Sequence, residues 1–238
     1  SEWINQREML TIATSTLRKF CNGKPASFAT AIVGLPTLLQ LLTDADVVVV
    51  ENACYSLHYL LGGFKGEVAN AEEINAANVE EINAVINDGF VKPILKLLSS
   101  GSVSVQYLAI RSIHLISTMG DLCIQTIANA NGLPYIKGLL CGPNGLHECI
   151  HQFACSTIAV VSNNSQRIQA AIDVGVMPCL IGMMANALYR IKQFAVRPVY
   201  QAIRGGTFAQ VEYMVAQGSI GHLCNLLIAD FNTTATAL

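Results

Sequence analysis

The chain has 238 residues, 52% of them hydrophobic and only 13% charged, with a formal net charge of −2 and a pI near 6.2. That balance exerts no overall pull on nucleic acid or an anionic membrane, and the basic residues are too few and dispersed to form a nucleic-acid stripe. No basic segment followed by an apolar core opens the chain, so no signal peptide is read. The longest uncharged run, Ala26–Thr43, is interrupted by Gly34, Pro36 and Gln40, which argues against a membrane span.

Residues 7–22 place Met9, Ile12, Ala13, Leu17 and Phe20 at helical spacing, and Gly23 and Pro25 stop that helix. The next unit is expected to hold a short helix from Phe28, a corner at Gly34-Leu35-Pro36 and a middle helix ending at Leu41-Leu42. A capped turn at 43–46 then leads into a long helix from Val48 to Leu61, ended by Gly62-Gly63. The order short, middle, long recurs in every later unit. The third unit is longer than the others by roughly residues 65–79. This stretch begins a tandem copy, E-E-I-N-A at 72–76 and again at 80–84, read as a slipped duplication that lengthens a helix or forms a solvated loop. Later long helices are expected at Val103–Ser117, about Leu146–Val161 and about Tyr189–Ile203. Pro198 falls inside the last and should kink it.

One phrase organises this series. It reads I-Q-A-A-I-D-V-G-V-M-P-C-L-I-G-M-M at 168–184, with close copies at 82–98 and 211–227 and looser ones ending at Leu140 and Leu42. Four of its glycines, Gly89, Gly132, Gly175 and Gly218, stand 43 residues apart. A fixed period of this length marks a helical solenoid of HEAT or armadillo type, whose units bury helices against their neighbours and so account for the apolar composition. The units run at about 1–25 (partial), 26–63, 64–119, 120–163, 164–205 and 206–238 (partial), forming a single solenoid. The ends lack a polar terminal face, so the chain is expected to be a fragment whose exposed end repeats pair as a dimer. The eight cysteines show no C-x-x-C pair and read as small hydrophobes in a reducing compartment.

More specific phrases are F-C-N-G-K-P at 20–25, L-P-T-L-L-Q-L-L at 35–42, G-G-T at 205–207 and Q-V-E-Y-M-V-A-Q-G-S-I-G-H-L-C-N-L-L at 210–227. Together with the turn phrases they resemble the importin-α family over nearly the whole chain, from about the third to the eighth repeat of such a protein. The resemblance implies an all-α, right-handed superhelical armadillo solenoid with three helices per repeat. It implies a nuclear import adaptor of cytoplasm and nucleus, not an enzyme, with no cofactor and no metal. Its partners would be a cargo peptide carrying a nuclear localisation signal, and importin-β through a basic segment absent from these residues.

In that family the third helix of each repeat lines a concave groove with a Trp and, four residues later, an Asn. Stacked rings hold the stems of cargo Lys and Arg, and the amides clamp the peptide backbone. Carried over by position, the pairs here are Ser15 and Lys19, Tyr55 and Tyr59, Arg111 and Leu115, Ser156 and Val160, and Arg197 and Gln201. Tyr59 and Arg111 match residues usual for the family at those places. The acid that often precedes each pair is replaced by Ile12, Asn52, Leu108, Phe153 and Phe194. The scaffold is thus kept while the ligand chemistry departs, and Lys19, Arg111 and Arg197, with no acid at the position that precedes each pair, would repel a basic peptide. The reading is an import adaptor with altered or lost cargo preference, in which Tyr55, Tyr59 and Gln201 are best able to engage a peptide. The alternative is an armadillo scaffold for an acidic or folded partner.

His147-Glu148-Cys149-Ile150-His151 also spells H-E-x-x-H, a spacing that can offer two imidazoles and a general base to zinc. No third ligand follows nearby, and the stretch reads as a solvated helix start. His58 and His114 occupy equivalent places and read as half-buried or rim residues.

Overall fold

The computed structural model describes residues 2–22, 28–70, 89–142 and 148–235. Thirteen helices lie among the described residues, and no strand. They are α1 (Glu2–Cys21), α2 (Phe28–Leu41), α3 (Val47–Asn70), α4 (Val91–Leu97), α5 (Val103–Ser117), α6 (Asp121–Asn129) and α7 (Gly132–Leu140). The series continues with α8 (Glu148–Val161), α9 (Ser165–Asp173), α10 (Val176–Asn186), α11 (Tyr189–Gly205), α12 (Phe208–Ala216) and α13 (Ser219–Ala235). The chain divides into two compact units, Ser1–Gly132 and Leu133–Leu238.

In the first unit the long helices lie side by side, α1 on α3 and α3 on α5, with α2 behind α3 and α4 behind α5. Leu57, Leu95, Leu108, Ile110 and Ile113 fill the seams and are fully buried. In the second unit α11 packs on α8 and α10, and α9 and α13 cover α10. Ile150, Ile158, Leu180 and Val199 form the corresponding core. Each long helix therefore has one face sealed by its neighbours and one left to solvent.

The turn between the first and middle helices needs one residue in the left-handed region, where a Cβ crowds the following carbonyl and glycine does not. Gly89, Gly175 and Gly218 take it, with φ of +97°, +80° and +89°. In the remaining copy Asn131 takes the position instead, at φ +57°. Gly132 is then displaced into the start of α7, where a Cβ would meet Ile127 Cγ2 at 2.7 Å and the Ile127 carbonyl oxygen at 2.9 Å. At Gly175 the chain bends by 74° between α9 and α10.

Helix starts follow local chemistry. Ser102 caps α5 by accepting from Val105 N–H, and its own hydroxyl donates to Glu51 Oε1 at 3.0 Å. Thr207 and Gln210 form a capping box at α12. The Gln210 amide also donates to the Ser165 carbonyl at 2.8 Å and to Gln169 Oε1 at 3.0 Å, joining two repeats. Lys137 Nζ likewise donates to the Val174 carbonyl at 2.8 Å, across 37 residues.

Several expectations are corrected. The corner at Gly34-Leu35-Pro36 does not form, and α2 runs unbroken to Leu41. Gly34 does not enter the left-handed region, and Pro36 sits inside the helix, where its missing N–H removes one backbone bond. Gly62-Gly63 does not end α3, which continues to Asn70. A helical glycine costs about 1 kcal/mol relative to alanine, a penalty that helix-compatible neighbours can absorb. Helix α1 begins at Glu2, α11 extends to Gly205 and α13 reaches Ala235, each past the limits read from sequence. Residues 65–70 belong to α3, while 71–84, with both copies of the duplicated pentapeptide, lie outside the described residues.

Cys54, Cys123 and Cys155 are buried as small hydrophobes, but Cys149 and Cys224 are exposed. Burial pushes the thiols of Cys54 and Cys155 up to about 12 and that of Cys123 to about 11. Cys141 and Cys179 form a disulfide, their Cα atoms 6.3 Å apart. Their separation of 38 residues carries no pairing signal in sequence; the repeat brings the end of α7 against α10.

Candidate functional site

In the first unit the solvent faces of α1, α3 and α5 form one continuous strip, because α3 packs against both of the others. The strip presents Ser15 and Lys19 from α1, Tyr55 and Tyr59 from α3, and Arg111 and Leu115 from α5. Lys19 is exposed, and the other five are half-buried. Residues four apart share a helix face, so each pair points the same way.

The aromatic residues are already engaged. The Arg18 guanidinium lies 3.6 Å from the centroid of the Tyr55 ring. Its Nη1 donates to Asn52 Oδ1 at 3.4 Å, and Asn52 Nδ2 donates to Thr14 Oγ1 at 3.4 Å. Asn52 and Thr14 are 4% and 3% exposed, so this support lies between α1 and α3. Asn52 therefore reaches the surface only by way of Arg18. Tyr55 stacks on Tyr59 with ring centroids 6.4 Å apart, and Tyr59 meets the His58 ring at 5.9 Å.

Arg111 closes the row, its guanidinium 5.3 Å from the Tyr107 ring centroid. Burial first, and the Arg111 charge second, hold the His58 imidazole down at about 4, so it is neutral at physiological pH. His58 Nδ1 is buried without a hydrogen-bond partner. Acids precede these positions on the same helices. Glu51, one turn before Tyr55, accepts from Ser102, and Glu8 lies ten residues before Arg18.

A second cation brought to about 4 Å from a resident guanidinium meets roughly 4 kcal/mol of repulsion at an effective permittivity near 20. The slot at Tyr55 is thus closed to a basic side chain while Arg18 occupies it. Arg18 and Tyr107 were missed by position matching, since neither stands at a groove position of the repeat. A long basic side chain one residue before such a position, facing an aromatic on the next helix, was the available signal.

In the second unit α8 contributes Ser156 and Val160, both half-buried, and α11 contributes exposed Arg197 and half-buried Gln201. Pro198 lies inside α11 and is buried. A cavity of about 510 Å³ opens nearby, walled by Cys141, Cys179, His151, Met183 and Ile191. An apolar pocket of about 420 Å³ lies between α11 and α13, lined by Tyr189, Val196, Leu223, Leu226 and Leu227.

Of the H-E-x-x-H stretch, His147 lies outside the described residues. Glu148 pairs with Arg190 at 3.2 Å, and His151 faces the cavity beside the disulfide. No cluster of three His, Cys, Asp or Glu able to hold a metal occurs among the described residues. No single helix among them is long and apolar enough to cross a membrane.

Comparison with known proteins gives a consistent relationship. No protein-family profile matches the chain. It is 33% identical over 222 residues to importin subunit alpha-4 of Arabidopsis thaliana, covering 92% of this chain and 38% of that protein. It is 34% identical over 181 residues to importin subunit alpha-1a of Oryza sativa subsp. japonica, covering 75% and 31%. The chain therefore spans less than two-fifths of the length of these curated relatives. Among solved structures, computationally designed armadillo repeat proteins for modular peptide recognition superpose with a TM-score of 0.76 at 22% identity, covering 92% of this chain and 86% of theirs. A designed armadillo repeat protein in complex with the peptide (KR)4 gives 0.74 at 22% identity, with the same coverages. The fold is that of armadillo repeats.

Proposed function

The chain belongs to the importin-α family over the part of those relatives that it spans, and from that premise we propose that it is an adaptor of nuclear protein import, binding an extended stretch of cargo along its third helices. The observation that carries this reading is the strip on α1, α3 and α5, where Tyr55, Tyr59 and Arg111 stand in a row above a fully packed core. An extended peptide crossing parallel-packed helices would meet one pair of these positions per repeat. Ser15, Lys19, Leu115, Ser156, Val160, Arg197 and Gln201 belong to the same proposed face, each within its own unit. Asn52 supports it from below. Importin-β and traffic between cytoplasm and nucleus enter with the adaptor role.

A second reading, an armadillo scaffold for a partner other than basic cargo, is favoured by Arg18, which already fills the slot at Tyr55. Both readings place a peptide on the same strip. Titration of fluorescent peptides tests that strip directly: saturable binding is expected, weakened at least fivefold by Tyr59→Ala. Binding that ignores Tyr59→Ala would move the site elsewhere and end the proposal.

A further inference from the structure

Resting on the peptide-binding strip proposed above, we infer that Arg18 is a built-in occupant of the aromatic slot and that the strip selects an extended acidic peptide, its carboxylates paired to Arg18 and Arg111. The guanidinium at 3.6 Å from the Tyr55 centroid holds the position an incoming arginine would need. It is not a loose surface side chain. Asn52 fixes it through one N–H, and Asn52 is itself buried and held by Thr14. A guanidinium carries five N–H donors in a rigid fork, so most remain to grip a carboxylate while the cation stays on the ring.

The charges on the strip point the same way. Lys19 is exposed beside Arg18, and Arg111 stands on the next helix but one. His58, between them, is neutral and offers a ring edge, with Tyr59 against it. Among the described residues Glu51 keeps its charge one turn before Tyr55, with its Oε1 turned to Ser102, and the cations Arg18, Lys19 and Arg111 outnumber it. Glu8 is about 15 Å from Arg18 along α1, at roughly 1.5 Å per residue, beyond the screening length of about 8 Å at physiological salt. Asp44 and Asp46 are turned into their own turn, accepting from the backbone N–H groups of Asp46 and Val48.

Geometry sets the spacing. Arg18 reaches across onto α3, so its guanidinium and that of Arg111 are separated by about one interhelical distance, roughly 8–10 Å. An extended peptide in the polyproline II conformation advances about 3.1 Å per residue with about three residues per turn, so carboxylates three residues apart share a face and span that distance. The favoured sequence is Glu-x-x-Glu, with apolar or aromatic residues between to lie on Tyr59.

Three labelled peptides of equal length test this, one with Glu-x-x-Glu, one with Gln-x-x-Gln and one with Lys-x-x-Lys. The unaltered chain should bind the acidic peptide at least tenfold more tightly than the glutamine peptide, with affinity falling as salt rises. Arg18→Gln should weaken the acidic peptide about tenfold and strengthen the lysine peptide, because Tyr55 is uncovered. Arg111→Gln should weaken the acidic peptide and help the basic one less than Arg18→Gln does, because Tyr55 stays covered. Equal or tighter binding of the lysine peptide by the unaltered chain overturns the inference. So does an unchanged order of affinities in Arg18→Gln, shown folded by circular dichroism. If none of the three peptides binds, the strip itself is not a peptide site, and the broader reading fails with it.

Discussion

Helices α3 and α11 hold the same place in their repeats, yet they show solvent chemically unlike surfaces. On α3, Tyr55, His58 and Tyr59 form a chain of rings, covered at one end by Arg18 and anchored beneath by Asn52. On α11 the corresponding stretch offers Arg197, Tyr200 and Gln201, with Tyr200 56% exposed. The buried faces, by contrast, are of one kind: Leu57 and Leu60 on α3, Ala195, Val199 and Ala202 on α11. Neighbouring helices constrain the inner face of a repeat, and only a ligand constrains the outer one. A repeat array can therefore keep its fold while the recognition residues change one unit at a time.

The largest effect should come from the core of the first unit. Leu108 is fully buried in α5, and Leu108→Ala should cost about 2–5 kcal/mol through the lost methyl groups and the remaining cavity. Hydrogen exchange should then accelerate in α3, α4 and α5 while α10 and α11 keep their protection. Equal acceleration everywhere would show that the two units unfold as one.

Turn chemistry gives the next effect and separates the repeats from one another. Gly132→Ala forces a Cβ onto the Ile127 carbonyl and should cost about 1–3 kcal/mol. Gly175→Ala meets only the movable end of Lys137, but it places a Cβ at φ +80°, for about 1–2 kcal/mol. Asn131→Gly should leave the melting temperature nearly unchanged. A larger loss at Asn131 than at Gly132 would reverse the assignment of the left-handed residue in that copy.

The smallest effect is a pH dependence confined to the first unit. The folded His58 sits near 4, below an unfolded value near 6.5, so the unfolded chain binds the proton more tightly. Its contribution is whole above pH 6.5 and is lost as pH falls from there through 4. Urea midpoints at pH 7.5 and pH 5 should differ less in His58→Gln than in the unaltered chain. The same place on α11 is Tyr200.

The helices, their order and the repeat length were legible because hydrophobic period and turn glycines are local signals. Val103–Ser117 has the same bounds in sequence and structure. The ends of α2 and α3 were not legible. Glycine and proline lower helix stability by amounts that context can absorb, so Gly34-Leu35-Pro36 and Gly62-Gly63 looked like breaks and are not. Within the candidate strip, Tyr55, Tyr59 and Arg111 could be placed by counting along the repeat. What covers Tyr55 could not, because Arg18 arrives from 37 positions earlier and outside the counted places. The Cys141–Cys179 pair is hidden for the same reason.

The bonds made by Lys137 and Gln210 bear on how such a chain can be edited by inheritance. They reach 37 residues forward, and 41 and 45 residues back, each close to one period. Genetic excision or copying of a whole unit would again bring the backbone carbonyl of an equivalent turn toward such a donor. A cut of half a period would leave a lysine and a buried amide facing the wrong helix. Such links act as a proofreading gauge on length, favouring descendants that gain or lose repeats entire.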